Sequence, residues 1–126
     1  MGFLDKIMGN ASTTDLEEVQ KELVDVLIPD EEIIAGYKII RNSLAFTNKR
    51  LILVDKQGVT GKKTEYKTIP YKSISRFSVE TTGHFDLDVE LKIWISSESD
   101  PSTSINFSKG APVVEIQKIL AQAILS

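Results

Sequence analysis

The chain has 126 residues, 41% of them hydrophobic and 26% charged, with a formal net charge of −3 at pH 7. That size and balance fit one folded domain and exclude a disordered polyelectrolyte. Cysteine is absent, which excludes disulfides, thiolate metal sites and thiol catalysis.

The opening, MGFLDKIMGNAS, lacks the cationic start and apolar run of an export signal, and no stretch approaches the roughly 18 apolar residues of a membrane span. The expected location is therefore cytoplasmic. Gly2 stands where a myristoyl group would attach, but Lys6 occupies the place where that pattern needs Ser or Thr. Phe3, Leu4, Ile7 and Met8 fit one short amphipathic turn that packs on its own domain or a neighbour. From Thr14 the period is helical: Leu16, Val19, Leu23, Val26 and Leu27 share one side, Thr14 with Glu17 resembles a capping box, and Pro29 closes the segment.

Between Glu31 and Phe107 the helical period disappears. EEIIAGYKII, SLAFT, RLILVD, TEYKTIPY, SISRFSVE, LDVELKIWI and TSINFS are short and rich in β-branched and aromatic residues, and turn residues separate them. Short connections require antiparallel neighbours, so these segments predict a meandering sheet that folds over as a sandwich or a partly open barrel. After Gly110 the helical period returns in APVVEIQKILAQAILS. Pro112 suits the first helical position, and Val113, Ile116, Leu120, Ala123 and Ile124 form the apolar stripe with Ile119 at its edge. The predicted organisation is an N-terminal helical extension over residues 1–28 and a domain over 29–126, with strands at about 31–108 and a C-terminal helix at about 112–125.

Charge is unevenly placed. From Lys38 to Arg76 there are ten basic residues and two acidic ones, a balance of +8, which leaves −11 for the rest of the chain. Such an asymmetry suits either an anionic partner on the basic block or pairing between the chain's own blocks.

Seven strands followed by one amphipathic helix is the element order of pleckstrin homology domains. FTNKRLILVDKQG at 46–58, TGKKTEY at 60–66, IPYKSI at 69–74, SVETTGHFDLDVELKIW at 78–94 and the opening MGFLDKIMGNAS together resemble the bacterial pleckstrin-homology-like family across essentially the whole chain. The resemblance implies a mainly β fold: a seven-stranded antiparallel, partly open barrel with a C-terminal capping helix, preceded here by the helical segment. It also implies a non-enzymatic protein that forms ring-shaped cyclic homo-oligomers, and it supplies no catalytic residues and no cofactor. Eukaryotic relatives that bind phosphoinositides use a lysine late in the first strand and a basic-any-arginine triplet in the second. Lys38 matches the first, but NSLAFTNKR contains no such triplet.

HFDLDVELKIWI, residues 84–95, alternates strictly. Phe85, Leu87, Val89, Leu91, Ile93 and Ile95 belong to a core face, and His84, Asp86, Asp88, Glu90, Lys92 and Trp94 to the other. His84 beside Asp86 has the residue types of an acid-base pair, yet no nucleophile-elbow pattern surrounds any nearby serine or threonine. Asp86, Asp88 and Glu90, two apart on a strand, line up instead of curling around a cation. GVTGKK at 58–63 has glycines and lysines but no following helix to cradle phosphate. The aromatics of the basic block alternate into the core, which argues against nucleic acid.

Two surfaces remain. His84, Asp86, Asp88, Glu90 and Trp94 are expected to meet a protein partner or a neighbouring protomer, with Trp94 either covered by a helix of its own chain or buried in that interface. Lys38, Arg41, Lys49, Arg50, Lys62, Lys63 and Lys72 are the alternative: a basic surface that contacts acidic lipid headgroups or an acidic protein.

Overall fold

The computed structural model describes residues 13–39, 42–58, 62–81, 89–107 and 112–126. Within them the element order is α1 (Thr13–Leu23), β1 (Ile33–Ile39), β2 (Asn42–Thr47), β3 (Arg50–Gln57), β4 (Lys63–Pro70), a short 3-10 helix (Tyr71–Ser73), β5 (Ile74–Thr81), β6 (Val89–Ile95), β7 (Thr103–Phe107) and α2 (Val113–Leu125). The chain divides into two compact units, Met1–Ile69 and Pro70–Ser126. Both expected helices and all seven expected strands are present. The amphipathic turn expected at residues 3–8 lies outside the described residues.

The first unit holds a sheet of order β1-β2-β3-β4. Antiparallel pairing sets Gly36 opposite Ala45 and Ala45 opposite Ile52, so these three share a face. α1 covers that face. Asp15 in its first turn and Lys21 in its last complement the helix dipole. Val19 and Leu23, both fully buried, join Ile33, Ala45, Ile52 and Val54 in one core cluster. Burying a side chain of that size contributes about 2 kcal/mol. The helix approaches closely because position 36 has no side chain: a Cβ there would stand 3.0 Å from the Val19 Cβ. On the opposite face of the sheet Tyr37, Leu44, Phe46 and Leu51 are buried, and the Tyr37 and Phe46 rings meet edge to face with centroids 6.0 Å apart.

α1 ends at Leu23, well before Pro29. The chain leaves it through a turn in which the Val26 and Leu27 amides both donate to the Leu23 carbonyl, at 2.9 and 3.1 Å. Arg50 captures the Val26 carbonyl at 3.1 Å, an acceptor that a continuing helix would have used itself. Val26 and Leu27 still pack against the core cluster, so their period is real although their conformation is not helical. After β3, Gly58 takes a φ of 81°, the left-handed backbone that glycine adopts without strain.

The second unit holds a sheet of order β5-β6-β7. Val89, Leu91 and Ile93 are buried on one face, joined by Ile105 and Phe107. A bulge between Ile74 and Arg76 keeps Ile74 and Phe77 on that face while turning Arg76 to the other. α2 lies against β5 and the 3-10 helix. Its buried positions are Glu115, Ile116, Ile119 and Leu120, so Ile119 belongs to the stripe itself and not to its edge. Pro112 precedes the helix by one position, and its carbonyl accepts from the Ile116 amide at 3.0 Å.

Candidate functional site

The open face of the β5-β6-β7 sheet carries the described part of the predicted polar row. Register places Arg76 opposite Trp94, Ser78 opposite Lys92 and Glu80 opposite Glu90, with Ser104 and Asn106 completing the face on β7. Directly opposed carboxylates repel each other. Lys92 relieves this pair, with Nζ 2.9 Å from Glu80 Oε1 and 3.7 Å from Glu90 Oε1. The Glu80 carboxylate, with Glu90 behind it, holds the Lys92 ammonium above its ordinary range.

At the other end of the face the Arg76 guanidinium carbon stands 4.6 Å from the centroid of the Trp94 ring. This is a cation-π contact, which sets the Arg76 guanidinium over the indole. The Trp94 Nε1 donates to the Ser99 carbonyl at 3.2 Å, and Arg76 Nη2 donates to the Glu98 carbonyl at 3.2 Å, so the 96–102 connection fixes both groups. The bulge is pinned there too, since Ser75 Oγ donates to the Ser96 carbonyl at 2.5 Å. Of the predicted row, His84, Asp86 and Asp88 lie outside the described residues. Arg76 was not among the expected site residues. Its place beside Trp94 depends on the β5-β6 register and the bulge, which alternation within one strand does not reveal.

The predicted basic surface divides into two groups. Lys38 Nζ lies 3.0 Å from Glu22 Oε1, and Lys56 Nζ 3.0 Å from Glu22 Oε2. The fully buried Ser43 hydroxyl donates to the same carboxylate, and the Lys38 amide donates to Asp15 Oδ2 at 3.2 Å. Partial burial pushes Glu22 upward, but the Ser43 hydroxyl and the two ammonium groups outweigh it and hold the carboxyl below its ordinary range. Arg50 is bidentate on Glu31, Nε to Oε2 at 2.8 Å and Nη2 to Oε1 at 2.9 Å. Thr47 Oγ1 also donates to Glu31 Oε2 at 2.7 Å, and the Ile28 amide donates to Oε1 at 3.1 Å. The Arg50 guanidinium holds the Glu31 carboxyl down at about 2, against the cost of burial. Lys38 and Arg50 are thus held by acids of their own unit. Lys49, Lys62, Lys63 and Lys72 are exposed and make no ion pair with the described residues, and Arg41 lies outside those residues.

Among the described residues no cluster of three or more metal-binding side chains occurs, and no helix is long and apolar enough to cross a membrane. The ordered groups on the open face are a stacked arginine, an indole and a shared-lysine carboxylate pair. Groups of these kinds can hold and orient a binding partner.

The chain belongs to the bacterial PH domain family, whose sequence model matches residues 2–124. It is 58% identical over 121 residues to the uncharacterized protein YjqA of Bacillus subtilis (strain 168), covering 96% of this chain and 97% of that one. The crystal structure of a pleckstrin homology domain from Shewanella amazonensis SB2B is 51% identical and superposes with a TM-score of 0.77, covering 99% of this chain and all of that one. A pleckstrin-homology-domain protein from Shewanella loihica PV-4 is 50% identical with a TM-score of 0.76, over 86% of this chain and 92% of that one. The fold is therefore pleckstrin-homology-like, with two open antiparallel sheets and a helix toward each terminus, as expected for a barrel that does not close. Membership of that family supports a binding or scaffolding module.

Proposed function

We propose that this protein is a non-enzymatic cytoplasmic scaffold that self-assembles into a cyclic homo-oligomer and presents the open face of its β5-β6-β7 sheet to a protein partner. The observation that carries the reading is the Arg76-Trp94 stack. A tryptophan and an arginine fixed by backbone carbonyls on an open face form the kind of anchor that dominates protein interfaces. Self-assembly is supported by the family resemblance and by the open sheets, in which β1, β4, β5 and β7 are each edge strands of their own sheet. Chromatography with light scattering tests the assembly. A strict monomer at high concentration and low salt removes it.

A second reading, contact with an anionic surface, is favoured by the exposure of Lys49, Lys62, Lys63 and Lys72. Sedimentation with anionic vesicles at low salt tests it, with charge reversal at Lys49 and Lys63 as the control.

A further inference from the structure

Among the described residues two cations stand on the open face of the three-stranded sheet, and their surroundings differ. Lys92 is shared by Glu80 and Glu90. Arg76 has no carboxylate partner among the described residues. Its Nη2 meets a backbone carbonyl, that of Glu98, while the Glu98 carboxylate accepts from the Ser102 hydroxyl at 3.1 Å. The indole beneath the guanidinium is itself held by the Ser99 carbonyl. A planar guanidinium fixed against an aromatic ring loses little freedom on binding, and its remaining N–H donors match the two oxygens of a carboxylate. Arg76 is exposed, so this charge faces solvent.

We infer that the Arg76-Trp94 pair receives a carboxylate from a mixed-charge segment of a protein partner; the inference rests on the open face being an interaction surface. The same face decides between a protein and an anionic membrane. Glu80 and Glu90 share one lysine, so that end of the face keeps a net negative charge which a uniformly anionic surface would meet with repulsion. Arg76 and Glu80 are four residues apart on one strand, about 13 Å. An extended segment with an acidic residue and a basic residue at that separation places opposite charges on both ends at once.

Trp94 is the only tryptophan in the chain, so its emission reports on this site alone. The full chain is titrated with blocked decapeptides that carry Glu and Lys four positions apart, with all-lysine and all-glutamate controls, and with phosphatidylcholine vesicles containing phosphatidylserine. The expected result is a saturable emission change with the mixed peptide, weakened at least about tenfold by Arg76→Gln. No saturable change at millimolar peptide, an equal midpoint in Arg76→Gln, or tighter binding to the vesicles overturns the inference. Pull-down with wild type, Arg76→Gln and Glu90→Lys separates the two levels of the argument. A partner lost with Glu90→Lys but kept by Arg76→Gln preserves the face as an interface and removes the carboxylate assignment.

Discussion

Gly36 and Val19 meet without room for one further carbon: a Cβ built on Gly36 would lie 3.0 Å from the Val19 Cβ and 3.2 Å from each of its methyl carbons. Neither partner can yield easily, because Val19 is fully buried on α1 and Gly36 sits within β1. Gly36→Ala is therefore expected to push α1 off the sheet and cost about 1–3 kcal/mol in urea unfolding. The double variant with Val19→Gly removes every clashing carbon and should lose less than the sum of the two single losses. An additive result would show that the cost of Gly36→Ala arises elsewhere.

Glu31 and Arg50 form the most enclosed ion pair of the described residues, with side chains 0% and 18% exposed. Removing one partner strands the other. Glu31→Gln is expected to destabilise the protein by roughly 3 kcal/mol, and Glu31→Gln combined with Arg50→Met by less than Glu31→Gln alone. Denaturant midpoints of the three variants measure this. A double variant weaker than the single would contradict it.

The same carboxylate sets an acid limit. Its value falls from 4.5 to about 2 in the folded state, and that of Glu22 is also lowered. Both are depressed acids, so an unfolded chain binds more protons than the native one as the pH falls below 4.5. Their stabilisation is complete above that pH and is lost progressively as the pH falls toward 2. Thermal unfolding between pH 6 and pH 2 is expected to show this loss, and Glu31→Gln should flatten its lower part.

Ser96 turns the chain out of β6 with a φ of 62°, a region where a side chain crowds its own backbone. Its carbonyl, not its hydroxyl, takes the bond from Ser75. Ser96→Gly keeps that bond and relieves the crowding, for an expected gain of up to about 0.5–1 kcal/mol in thermal unfolding. A loss of stability would mean that the glycine's added freedom in the unfolded chain outweighs the relief.

Much of this architecture is legible in local pattern. The alternation of Val89, Glu90, Leu91, Lys92, Ile93 and Trp94 predicts β6 and its two faces, and the spacing of Leu16, Val19 and Leu23 predicts the buried side of α1. What local pattern misses is pairing across sequence distance. Lys38 and Arg50 look like free cations because Glu22 and Glu31 stand sixteen and nineteen residues earlier, on α1 and in the connection before β1. Gly36 resembles any small strand residue until Val19 is placed above it. The Arg76-Trp94 stack depends on a single-residue bulge, and a strand reading without it would turn Arg76 toward the buried face.

The acids that hold Lys38, Lys56 and Arg50 have a consequence for the order in which the protein is made. Glu22 and Glu31 leave the ribosome before the cations they bind, and every partner in these pairs lies within the first compact unit. The cations of β1 and β3 thus emerge after their acids, Glu22 on α1 and Glu31 in the connection before β1, and β2 and β3 each pair with the strand just before them. Contacts this close in sequence close quickly. The ion pairs and strand pairings of α1 and β1–β3 can therefore begin to form during synthesis while the three-stranded sheet is still being translated.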